Sequence, residues 1–177
     1  MSSSQGARLL ASWQRLAGRP FGRWLFSRLL GRQVPYTGTI RPRVVELRPG
    51  YARVEMDDRP IVRNHLQSIH AVALVNLGEV ASGLAMMTGL PPTLRSIVTG
   101  ISIEYVKKAR GRLTAESTVV LPEAITGAQD FDLASVVRDA DGDVVARATV
   151  RWRIGPRPSP ERAAADTGVD AATTARA

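Results

Sequence analysis

Residues 69–87 read IHAVALVNLGEVASGLAMM, apolar on every face rather than along one stripe, which marks a helix enclosed by other structure on all sides. Glu79 stands in its middle. An ionised carboxylate loses its hydration there, so it must be hydrogen-bonded, ion-paired, or raised in pKa towards the range where a general base works near neutrality. The chain has ample arginine for a purely structural pairing, so both readings stand at this point. His70 and Ala71 are expected in the first turn, where backbone N–H groups lack intrahelical partners and the macrodipole is positive. A developing oxyanion is stabilised at such an end. His70 can equally cap the helix or fill space, and Asn64, beside His65, reads locally as a turn residue.

Outward from this helix the chain reads as strands. Residues 41–47 and 52–56 flank the turn signal Pro49-Gly50, and Ala52, Val54 and Met56 alternate with Arg53, Glu55 and Asp57. Ile97, Thr99, Ile101, Ile103 and Tyr105 alternate with Gly100, Ser102 and Glu104, and Gly111 precedes a further strand over 113–121. Asp141-Gly142 is expected to close a hairpin between 133–138 and 144–152, with Ala146, Ala148, Val150 and Trp152 on one side. Periodicity alone therefore predicts an α+β fold with an antiparallel sheet.

The chain of 177 residues is long enough for one sizeable core and too short for two ordinary domains with tails. It contains no cysteine, which excludes disulfides, thiolate metal sites and a cysteine nucleophile. With only His65 and His70 as histidines and no HExxH spacing, no zinc site is expected. No glycine-rich phosphate loop, GxSxG elbow or internal repeat is present.

The net charge of +8 is unevenly spread: residues 1–32 carry Arg8, Arg15, Arg19, Arg23, Arg28 and Arg32 and no acid. Leu9, Leu10, Trp13, Leu16 and Ala17 fall at helical spacing, Pro20 interrupts, and Phe21, Trp24, Leu25, Leu29 and Leu30 continue as a second short amphipathic helix. Two accounts follow: the helices pack on the sheet of the same chain, or they make a peripheral, basic contact with an anionic membrane. No stretch reaches the roughly 18 consecutive apolar residues of a membrane span, no secretory cleavage pattern follows, and no nucleic-acid-reading motif is present, so a cytoplasmic protein without a nucleic-acid partner is expected. Three segments are expected: residues 1–37 as the basic helical segment, 38–156 as the domain, and 157–177 as a disordered tail rich in Arg, Pro, Ala and Thr.

The stretches VPYTGTI (34–40), RNHLQSIHAVALVNLGEVASGLAM (63–86), ISIEYVKKARG (101–111) and VARATVRWRIGP (145–156) resemble an uncharacterised subgroup of hotdog proteins, over about residues 30 to 156. The spacing of Asn64, His70, Ala71 and Glu79 is similar to that of hotdog-fold acyl-CoA thioesterases of the phenylacetate-pathway type. In those enzymes an Asn precedes a His-Gly pair by six residues, and an Asp or Glu follows on the central helix. Ala71 replaces the usual Gly and keeps its N–H. Glu79 replaces the commoner Asp and reaches about one methylene further.

The resemblance implies a hotdog fold, a curled antiparallel sheet around one long helix, and hydrolysis of a thioester to a carboxylic acid and CoA. It implies no cofactor beyond the CoA of the substrate, with Glu79 as base or nucleophile, Asn64 and His70 assisting, and the Ala71 N–H polarising the carbonyl. It further implies that Lys107, Lys108 and Arg110 hold the phosphates of CoA at the rim, and that active sites form between subunits of a dimer or tetramer. Two other functions fit the sequence. A hydratase or dehydratase could pair His65 with Glu79 fourteen residues on, though the proline-rich turns of such enzymes are missing here. A non-catalytic acyl-CoA or lipid-binding protein would retain ligand without turnover.

Overall fold

In the computed structural model, which describes residues 4–122 and 124–157, a six-stranded antiparallel sheet packs around one long helix. The polypeptide begins with α1 (Gln5–Leu16), α2 (Gly22–Gln33) and the short α3 (Pro35–Thr39). Next come β1 (Arg43–Arg48), β2 (Tyr51–Met56), a 3-10 turn over Pro60–Val62, and the central helix α4 (Ala71–Gly89). The remaining strands are β3 (Leu94–Tyr105), β4 (Leu113–Thr118), β5 (Gln129–Arg138) and β6 (Val144–Pro156), and the spatial order is β1-β2-β4-β5-β6-β3. The tail expected beyond residue 156 lies, from residue 158 on, outside the described residues.

Local chemistry accounts for the turns. Arg48 pairs with Tyr51 across Pro49-Gly50, where Gly50 takes φ +74° and proline supplies the preceding position, a two-residue reversal that needs glycine second. At the β5–β6 hairpin the Asp139 carboxylate accepts from the N–H groups of Asp141 and Asp143, and Gly142 sits at φ +86°. Ala146, Ala148, Val150 and Trp152 are all buried, as their alternation predicts.

Strand β3 departs from its predicted alternation. Val98 pairs with Trp152 but Gly100 with Arg151, so Thr99 is an extra residue and the strand changes phase there. Ile97, expected on the face of Ile101 and Ile103, is thrown to the outside and is exposed, while Val98 turns inward.

Helix α4 is long and apolar enough to cross a membrane by length and composition, but it lies against the sheet as the core helix. Gly78 permits a close approach, since a Cβ there would come within 2.8 Å of the Ala148 Cβ on β6.

The first two helices share the same core. The Ser4 side chain caps α1 by accepting from the Ala7 N–H at 3.1 Å. Trp13 is buried edge-to-face on Phe26 of α2, with ring centroids 5.2 Å apart, and the buried Ser27 hydroxyl accepts from the Val44 N–H of β1 at 3.0 Å. Trp13→Ala is therefore expected to cost about 3–5 kcal/mol in chemical denaturation. A loss below about 1 kcal/mol would show that α1 contributes little to the fold.

Candidate functional site

The loop before α4 is built around Asn64. Its Oδ1 accepts from the Leu66 N–H (2.9 Å), the Ser68 N–H (3.2 Å) and the Ser68 hydroxyl (3.1 Å), and its backbone N–H donates to the Ser68 carbonyl at 2.8 Å. These bonds commit the carbonyl end of the side chain to folding residues 64–68. The Nδ2 end has no partner among the described residues. The loop is tied down beyond itself by Ile69 N–H to Ala109 O (2.9 Å) and His70 N–H to Val62 O (2.8 Å). Asp58 adds a knot, accepting from Arg63 Nε at 2.7 Å and from the Gly111 N–H at 3.0 Å, and the Arg63 hydrogen bond holds its carboxyl below the usual range. His65, the partner required by a hydratase reading, is exposed in the same loop.

His70 is the N-cap of α4, one position before the first turn where it was expected, with extended backbone at φ −64° and ψ 140°. Its Nδ1 accepts from the Val72 N–H at 3.1 Å, which leaves the proton of a neutral imidazole on Nε2. The Ala73 and Leu74 N–H groups both reach the His70 carbonyl, at 2.9 and 3.3 Å. Among the first four donors of the helix, only the Ala71 N–H has no partner within the described residues. Ala71 is exposed, so that donor is presented at the positive helix end. Tyr105, which residue spacing alone did not single out, braces this end: its hydroxyl donates to the Ala71 carbonyl at 3.3 Å, and burial raises its pKa.

Two turns along, Glu79 is half-buried and makes neither an ion pair nor a side-chain hydrogen bond among the described residues. The arginine expected of a structural acid does not come to it. Its Oε1 and the indole of Trp152 both lie within 3.7 Å of where a Cβ on Gly83 would stand, and burial alone raises the pKa of the carboxyl. The Trp152 Nε1 is itself buried without a partner among the described residues. Val72, Val75 and Glu79 form the least covered line of α4. Opposite, β3 forms one edge of the sheet, and Ile101, Ile103 and Tyr105 share the helix side with their partners Val150, Ala148 and Ala146. Although the start of α4 touches this edge through Tyr105, Ile101 and Tyr105 stay partly open to solvent.

Ala71 and Glu79 are eight residues apart on one helix, a separation of about 12 Å along the axis. A single carbonyl group cannot meet both within one chain. A cavity lies elsewhere, lined by residues of α2 together with Asp57 and Arg59.

Lys107, Lys108 and Arg110 do not converge. Lys107 Nζ is held by Asp139 (2.7 Å) and Asp143 (2.6 Å) of the β5–β6 turn, and these bonds push its pKa up to about 12. Lys108 is exposed without an ion pair among the described residues, and Arg110 Nε donates to the Gln67 carbonyl at 3.4 Å. No group of three His, Asp or Glu side chains gathers among the described residues to hold a metal ion.

The raised pKa of Glu79 has a definite sign in stability. Folding favours its protonated form, so its contribution is fully present below the unfolded pKa and is lost as pH rises through the folded value. Glu79→Gln removes this dependence. Melting curves of variant and wild type should coincide at acid pH, and the variant should become the more stable as pH rises past the ordinary glutamate value of 4.5. A variant that became the less stable with rising pH would mean that the carboxylate has a stabilising partner.

Residues 22–154 match the family described as Domain of unknown function (DUF4442). The chain belongs to that family. Among solved structures, the DUF4442 chain is similar to the structural-genomics protein APC5556, at 31% identity and a TM-score of 0.75, over 85% of this chain and 100% of the other. A Pseudomonas aeruginosa protein of unknown function, described as a probable thioesterase, aligns at 22% identity and TM-score 0.66, over 74% of this chain and 93% of its own. A point variant of the phenylacetic acid degradation protein PaaI from Thermus thermophilus aligns at 21% identity and TM-score 0.57, over 67% and 97%. No curated protein matches the DUF4442 chain significantly in sequence. The last two likenesses are of fold: the DUF4442 domain here is a hotdog, a sheet wrapped on one long helix.

Proposed function

We propose that this DUF4442 protein is an acyl-CoA thioesterase. One observation carries the reading: Glu79, half-buried and without a partner among the described residues, lies on the less covered side of α4, while the same helix presents at Ala71 an N–H that none of those residues accepts from. A burial-raised carboxylate is a better base near neutrality than an ordinary one.

In this mechanism Glu79 takes a proton from water as the oxygen attacks the thioester carbonyl carbon. The Ala71 N–H, aided by the helix dipole, holds the resulting oxyanion. The tetrahedral intermediate then collapses, the C–S bond breaks, the CoA sulfur receives the proton, and the acyl product leaves as a carboxylic acid. His70 shapes the carbonyl site through its cap, and Asn64 positions the loop with its free amide end available to water or carboxylate. Lys108 and Arg110 are the cations offered to the CoA phosphates, with Lys107 fixing the neighbouring turn.

The distance between Ala71 and Glu79 makes the site a shared one. A second copy pairing along β3 covers Ile101 and Tyr105 and brings the Ala71 of one subunit to the Glu79 of the other. The working unit is a dimer, or a tetramer built from dimers, in the cytoplasm, where the solvent-facing side of the N-terminal helical segment makes a peripheral contact with membrane.

The test is a screen of acyl-CoA chain lengths for CoA release by the wild-type protein. Release with at least one chain length, together with a dimer or larger species in light scattering, is expected. Tight acyl-CoA binding without release would replace the enzyme by a binding protein, and an active monomer would overturn the shared site.

A further inference from the structure

The two N-terminal helices do not play the same part. Trp13 of α1 is buried at 7% exposure, whereas on α2 Trp24 is 59% and Phe21, at its N-cap, 85% exposed, with Leu25 and Leu29 also open to solvent. These positions, with Arg28 and Arg32, follow the spacing of one helix face, turned away from the buried Phe26 and Ser27.

Beside that ridge lies a cavity of about 780 Å³, a volume within the usual range of ligand sites. Its lining includes Arg28, Arg32, Arg41, Arg43 and Arg59 against a single acid, Asp57. Arg43 is taken by Glu55, and Asp57 by Arg112 at 2.9 Å. Arg28, Arg32, Arg41 and Arg59 have no ion-pair partner among the described residues. Arg59 is fixed to the wall by donation to the Thr39 carbonyl at 3.1 Å, and burial, then the nearby Arg41 charge, lowers its pKa. Arg41 is held at φ +50°, a left-handed conformation that costs energy for a side chain of its kind. Arg28 lies 5.9 Å over the Trp24 ring, so the ridge and the cavity share a wall.

We infer that the outer face of α2 and this arginine-lined cavity dock on an anionic phospholipid surface. The cavity receives a headgroup phosphate, and Phe21, Trp24 and Leu25 enter the apolar boundary. The inference rests on the proposed membrane contact and names the residues and the chemistry that make it. Charge complementarity selects the occupant: unneutralised guanidinium groups match phosphate, while a second copy docking by the same face would bring arginine to arginine. The adjoining apolar ridge matches an acyl boundary and has no use for a free phosphate in water.

The experiment is flotation of the full-length chain with vesicles of phosphatidylcholine alone and of phosphatidylcholine mixed with phosphatidylglycerol. Trp24 fluorescence is read in parallel, since Trp13 and Trp152 are buried. Flotation only with the anionic vesicles is expected, with a blue shift of Trp24 and release at high salt, because screening shortens from about 10 Å at 0.1 M to about 3 Å at 1 M. The double variant Arg28→Gln/Arg32→Gln should partition about 25-fold less well, about five-fold for each arginine. Phe21→Ser/Trp24→Ser, at two exposed positions, should lose flotation even with the arginines present.

Absence of flotation by the wild type at low salt ends both the inference and the membrane contact. Flotation that survives both double variants ends the inference alone, as does equal flotation on neutral vesicles. Binding of RNA that is lost in Arg28→Gln/Arg32→Gln, with vesicles ignored, assigns the arginines to nucleic acid and overturns the inference. A fall in molecular mass of Phe21→Ser/Trp24→Ser in light scattering assigns the ridge to a second copy and overturns it too.

Discussion

Ala71→Pro is expected to lower thioester hydrolysis by about 10²–10³ in kcat while leaving the fold in place, the scale of losing one oxyanion donor. Proline removes the one N–H at the start of α4 that has no partner among the described residues, so no hydrogen bond among them is broken. Ala71 is the first residue of the helix, where proline is tolerated because its fixed φ suits that position. His70, at φ −64° and ψ 140°, already has the extended backbone that a residue before proline must adopt. The side chain at 71 is exposed, so the ring enters solvent. A folded Ala71→Pro protein with wild-type kcat would remove this N–H from the mechanism. Ala71→Gly, which keeps the N–H, is the control and should retain activity.

Glu79→Gln is expected to lower hydrolysis by about 10²–10⁴, the scale of losing a positioned general base, with KM little changed. The substitution is nearly isosteric and breaks no ion pair or side-chain hydrogen bond among the described residues, so a folding defect is not expected to mask the result. Activity within tenfold of wild type would take the base away from Glu79. The two variants together test the shared site. Mixed after unfolding and refolding, Ala71→Pro and Glu79→Gln chains form heterodimers in which one of the two sites draws both intact groups from different subunits. Recovery of about a quarter of wild-type activity is then expected from random pairing. No recovery would place the whole site in one chain and contradict the separation along α4.

Some of the fold could be read locally. The hairpin turns at Pro49-Gly50 and Asp141-Gly142 are chemical signals carried by adjacent residues, and both are present. The phase change at Thr99 was not readable, because a bulge depends on how β3 meets β6, more than forty residues on. The basic run at 107–110 reads as one cluster in sequence. In space Lys107 is drawn off by Asp139 and Asp143, acids of a hairpin turn distant in the chain. Tyr105 was legible only as a strand residue, and its hydroxyl's place on the Ala71 carbonyl follows from the packing of β3 beside α4.

The sequence alone determined that the apolar stretch around Glu79 forms one long core helix, since its pattern has no polar stripe; the enclosure it predicted on every face fails along Val72, Val75 and Glu79. Only the tertiary structure decided that Glu79 meets no arginine and Ala71 N–H no acceptor among the described residues, and that Trp13 is buried while Trp24 faces out. Composition records how many cations and apolar groups a segment holds. Which of them find partners is set by contacts between segments far apart in the chain, and those contacts exist only once the sheet has closed on the helix.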